Sequence, residues 1–92
     1  MTLNTKHRNE LKAKAHHLKP VIRVGQKGLT DNLLQETSQA LDTHELIKVH
    51  VALDEREARK QCMLELARRS DAELVGQIGK TCSLYRKRTA DD

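Results

Sequence analysis

Residues 45–53 read ELIKVHVAL, and their alternation is the clearest structural signal in the chain. Ile47, Val49, Val51 and Leu53 fall on one side of an extended segment while Lys48 and His50 fall on the other, the period-two pattern of a strand with one face in a core. Beyond Leu53 the period changes. Asp54 with Glu57 three residues on matches a capping box, with Asp as the capping side chain, and opens a helix to about Arg69. Ala58, Cys62 and Leu66 keep a spacing of four along it, so Cys62 reads as a small core residue and not as a reactive thiol.

Working towards the N-terminus, Thr30 can cap a helix over about 31–42 with Leu34 and Leu41 on its buried side. Before it stands VIRVGQKGLT, residues 21–30: a short β-branched run, then Gly25 and Gly28 around Gln26 and Lys27. Pro20 stops any preceding helix and suits the first position of a strand. From Thr5 to about His16, Leu11 and Ala15 continue to Leu18 at spacings of four and three, leaving Lys6, Arg8, Lys12 and Lys14 in water. Beyond Arg69, ELVGQI and TCSLYR are two short extended runs joined by Gly79 and Lys80, a pair suited to a type II′ hairpin.

The order is therefore helix, strand, helix, strand, helix, strand, strand: an α/β fold with a mixed four-stranded sheet covered by helices. One domain is expected over residues 1–92, with a core of about 3–88 and a loose tail at 89–92. In such a sheet the strand carrying Arg23 and the strand ending at Tyr85 could be neighbours, which would bring both ends of the chain to one side.

Charge gives that expectation its interest. Residues 1–27 carry seven Lys/Arg against Glu10, residues 28–79 carry six against ten Asp/Glu, and residues 80–92 carry four against two. Basic ends around an acidic middle point to an anionic partner, although a charge run is more often a solvated face. Several classes fall away. With neither Phe nor Trp and Tyr85 as the lone aromatic, the chain lacks an aromatic base-stacking platform; Tyr85 either packs at the strand end or offers a base one surface. Cys62 and Cys82 lie outside any C-x-x-C pattern and read as reduced thiols. With no signal or membrane-spanning stretch, the cytoplasm is the expected compartment.

His16 and His17 are adjacent and so point apart on a helix, and no zinc spacing occurs, so no metal or other cofactor is expected. His16 reads as a helix-end residue, with contact to RNA as its alternative. The carboxylate pairs Asp42 with Glu45 and Glu55 with Glu57 read as solvated helix ends. No nucleophile, base and orienter form a motif, and no catalytic residue is assigned. The glycine pair has two readings. Gly25 and Gly28 can serve a tight strand-to-helix turn, or can let a phosphate approach the main chain beside Lys27 and a helix N-terminus.

The segments LKPVIRVGQKGLT, HELIKVHVA and IGKTCSLYR resemble the bacterial stand-alone form of the CRM domain, the chloroplast RNA splicing and ribosome maturation module, also called the YhbY family. The resemblance extends over about residues 3–88. It implies a fold similar to the C-terminal domain of translation initiation factor three, an RNA-binding role and no enzyme activity. It further implies ribosomal precursor RNA as partner, with ribosomal proteins beside it, in assembly of the large subunit. Residue by residue, it places a GxxG loop on Gly25, Gln26, Lys27 and Gly28, and a basic surface on Lys12, Lys19, Lys48, Lys80 and Arg86; Arg88 and Tyr85 complete the candidate RNA-binding set. Gly76 and Gln77 depart from the more regularly apolar run expected there, so Gly76 either marks a bulge or weakens that strand, and the register there is left open. A monomer is expected. The competing reading is a protein scaffold docking through acidic second and third helices.

Overall fold

A computed structural model describes residues 3–88, so the expected tail at 89–92 lies outside the described residues. The elements are α1 (Thr5–Ala15), β1 (Pro20–Val24), α2 (Asp31–His44), β2 (Leu46–Val51), α3 (Arg56–Arg69), β3 (Glu73–Ile78) and β4 (Thr81–Tyr85), in the order read from the sequence. The sheet runs β1-β2-β4-β3, with β1 parallel to β2 and β4 antiparallel to both β2 and β3. β2 therefore separates β1 from β4, and the expected adjacency of the strands carrying Arg23 and Tyr85 does not occur. The reason is the crossover: α2 returns the chain beside β1 and α3 carries it past one strand position, leaving the central slot for β4.

The alternation of β2 divides the molecule into layers. Ile47, Val49 and Val51 are buried with Ile22, Val24, Leu41, Met63, Leu66, Cys82 and Leu84 beneath α2 and α3. On the other face Leu3, Leu11, Val75 and Tyr85 form a smaller cluster under α1. Leu53, just past the strand, packs on the edge of the larger core. Burial near Cys62 pushes the Cys82 thiol up to about 12 and raises that of Cys62, desolvation being the larger cause for both; thiols held protonated in this way are poor nucleophiles.

Two helical faces differ from expectation by one position. In α2 the buried residues are Leu33, Thr37 and Leu41, with Leu34 half-buried. In α3 they are Met63, Leu66 and Ala67, while Cys62 is half-buried and Ala58 lies nearer the solvent side. The α3 cap moves likewise. Glu55, not Asp54, accepts from the Ala58 amide at 2.6 Å, because Asp54 is taken by Lys80 at 3.0 Å. α3 ends in a Schellman arrangement, with Asp71 N–H donating to Arg68 O and Ala72 N–H to Ala67 O, and Asp71 itself at φ +54°.

The register of β3 shifts between Leu74 and Gly76, so of the two readings of Gly76 the structure has the bulge. Arg8 of α1 donates to the carbonyl of Leu74 at 2.7 Å beside it. The hairpin turn has positive φ at Gly79 and not at Lys80, as type II′ requires and type I′ does not. Charge also sorts by element. α2 holds Asp31, Glu36 and Asp42 and no Lys or Arg. α3 carries Arg56, Arg59, Lys60, Arg68 and Arg69 against Glu57 and Glu65, so it is basic and the acidic pair of helices expected for protein docking reduces to α2.

Candidate functional site

The loop after β1 is a tight turn on the rim of the sheet. Val24 O accepts from Ala52 N–H at 2.8 Å, and Gly28 N–H donates to Gly25 O at 3.0 Å, leaving Gln26 and Lys27 at the tip. Gly28 has φ +74°, so the turn itself demands glycine there. Gly25 is different. It is not in the positive-φ region, and a Cβ built on it would meet nothing within 4 Å, so neither backbone conformation nor protein packing requires glycine at this position. Thr30 then caps α2, its Oγ1 accepting from Leu33 N–H at 3.2 Å, and Asp31 sits in the first turn, where the helix dipole favours negative charge.

Lys80 occupies the same rim. Its carbonyl accepts from Val51 N–H at 2.7 Å, and its ammonium pairs with Asp54, holding that exposed carboxyl below its usual range chiefly by the hydrogen bond. Arg59 of α3 joins the rim by donating to Gly79 O at 3.2 Å, Leu53 O at 2.9 Å and Asp54 O at 3.1 Å. Arg56 and Lys60 stand exposed beside the hairpin tip. These α3 cations are masked in the acidic total of residues 28–79 and stand out only when charge is summed helix by helix.

Lys12 and Lys48 lie on the α1 face. Lys48 is opposite Ser83, which is opposite Gly76, and the Lys12 stem lies over Gly76. The next cross-strand row on this face, two positions nearer the glycine loop, is Arg23, His50, Thr81 and Ile78. His50 Nδ1 in that row is buried without a hydrogen-bond partner.

The remaining candidates occupy the other end of the sheet. Lys19 precedes β1 and lines a cleft of about 540 Å³ with Val21, Leu46, Lys48 and Tyr85. Tyr85 is only 9 % exposed and meets the His7 ring edge-on at 5.5 Å, so its packing alternative describes it. Arg86 threads between α2 and α3, donating to Ser70 O at 2.8 Å, Ser38 O at 2.9 Å, Ser38 Oγ at 3.1 Å and Asp42 Oδ1 at 2.8 Å. Arg88 donates its backbone N–H to Glu45 at 2.8 Å. The structure thus brings together Gly25–Gly28 and Lys80 at one rim and Lys12 with Lys48 on the adjoining face, where Lys48 also shares a cleft with Lys19 and Tyr85, while Arg86 and Arg88 stand apart.

Among the described residues no group of three or more His, Cys, Asp or Glu side chains could hold a metal ion, and no helix is long and apolar enough to cross a membrane. Residues 3–86 match the CRS1 / YhbY (CRM) domain. The chain is 45% identical to a probable RNA-binding protein of Pseudomonas aeruginosa over 95% of its own length and 84% of that protein. It is 45% identical to an RNA-binding protein of Haemophilus influenzae over 92% of the chain and 86% of that protein. The fold is similar to the solution structure of a hypothetical Staphylococcus aureus protein proposed to bind RNA, with a TM-score of 0.85 at 28% identity, covering 99% of this chain and 95% of that one.

Proposed function

The chain belongs to the CRS1/YhbY (CRM) domain family, and from that premise we propose that it binds structured RNA, chiefly through the phosphate backbone, by way of the Gly25–Gly28 loop and the basic face beside it. The observation that carries this reading is Gly25: a glycine that neither φ nor packing requires, next to a lysine at the loop tip and a helix N-terminus, leaves the main chain open to close approach by a nucleic-acid backbone. Lys27 adds a point charge, Lys80 extends the rim, and Lys12 and Lys48 supply cations on the adjoining face. Arg86 serves by holding the end of β4 to α2 and α3. The RNA is ribosomal precursor RNA of the large subunit, met during subunit assembly in the cytoplasm; the family resemblance supports that finer reading, and crosslinking in cells followed by sequencing of the bound fragments tests it.

The loop itself is tested with the double variant Gln26→Asp, Lys27→Asp. Both glycines and their backbone angles remain, so circular dichroism should match the parent. RNA affinity should fall steeply. The plot of log affinity against log salt should flatten by about 0.7–0.9, because the variant no longer neutralises the phosphate that Lys27 meets. Parent-like affinity in the folded variant would reduce the loop to a turn.

A further inference from the structure

Between the second half of α1 and the β3–β4 hairpin lies a cleft of about 190 Å³, walled by Lys12 and Lys48 and floored by Gly76, Gln77, Ile78 and Ser83. We infer that this cleft receives one unpaired base of the RNA, and that it prefers guanine; the inference rests on the RNA-binding reading above. Its volume is well below the roughly 300–1,000 Å³ of sites for drug-sized ligands, a size suited to a single base.

The bulge creates the wall. A Cβ at position 76 would stand 3.4 Å from Lys12 Cε and 3.5 Å from its Cγ, so the bare glycine lets the Lys12 stem lie flat across β3. Ile78, 67% exposed, offers the apolar surface against which a base face can rest in a chain with no Phe or Trp. The edge groups are donors: two ammonium groups and the Ser83 hydroxyl, all on the face covered by α1. Guanine presents two adjacent acceptors, O6 and N7, whereas adenine and cytosine place an amino donor on the corresponding edge. The cleft also connects with the glycine loop. Thr81 and Ile78 share their cross-strand row with Arg23, the residue before Val24 and Gly25. β1 lies two to three strand spacings from the hairpin, roughly 10–14 Å, a span that a few nucleotides cover.

A fluorescein-labelled hairpin RNA with one bulged guanosine tests this against the same hairpin with an abasic, adenosine or cytidine bulge, by anisotropy with the full chain. The parent should bind the guanosine bulge about tenfold more tightly than the abasic one. Ser83→Ala and Lys48→Met, each checked by thermal unfolding, should lose most of that difference. Equal binding of guanosine and abasic hairpins by the parent overturns the base cleft and leaves backbone binding standing. Failure of the parent to bind any of these hairpins at low salt overturns the RNA-binding reading and the cleft with it.

Discussion

Arg86 illustrates how a residue's surroundings decide its part. In the sequence it is one of three consecutive cations before the tail; in the fold its guanidinium donates to α2 and α3 and its side chain is 21% exposed. Arg86→Ala should therefore cost about 2–3 kcal/mol, measured by urea denaturation, because carbonyls and a carboxylate lose a charged donor. Arg86→Lys should recover little, since an ammonium cannot reproduce the planar fork. That role was not legible because the partners lie 16 to 48 residues away, beyond any local pattern. Cys82, buried in the larger core, shows another effect of surroundings. The unfolded thiol titrates near about 8.5 and the folded one at about 12. Between those values the unfolded chain releases a proton that the folded chain keeps, so stability falls as pH rises through that window. Thermal unfolding from pH 7.5 to 10.5 should show this decline, worth at most about 3 kcal/mol, and Cys82→Val should flatten it.

At the scale of elements, β2 was readable because a strand between a deep core and a half-covered face imposes period two on its side chains. Helix faces were less legible. One apolar residue more or less rotates the reading by about 100°, and α3 turned by one position from Cys62 to Met63. Its cap went astray because Asp54 and Glu55 both have capping oxygens, and only the hairpin lysine, 26 residues away, decides between them. The other end of α3 invites improvement. Asp71 holds a left-handed conformation at φ +54°, and Asp71→Gly should raise stability by about 0.5–1 kcal/mol, read as a shift in denaturation midpoint with unchanged slope.

For the whole molecule, element order followed from the sequence and strand order did not, because pairing of β1 with β2 rather than β4 is settled by crossovers between distant segments. The glycine loop was legible as a local motif; the place of Lys80 on its rim and of Arg88 beside Glu45 was not, because both depend on strand order. If about four phosphates meet Lys12, Lys27, Lys48 and Lys80, log affinity against log salt should fall with a slope of about −3 to −3.5. Arg88→Gln should change that slope less than Lys48→Gln, as titrations at several salt concentrations would show; equal effects would mean that RNA also reaches the end of the molecule where Arg88 is held by Glu45.

The bulge in β3 and the Arg8 hydrogen bond beside it bear on colloidal behaviour as well. An open sheet has two outer strands whose unpaired amides and carbonyls can template addition of another chain. Here one outer strand begins at Pro20, which has no N–H to offer, and the other breaks its register at Gly76 while Arg8 occupies the carbonyl of Leu74. Both margins are thereby poor templates, which guards a protein with no aromatic-rich core against growth into aggregates when its RNA is absent.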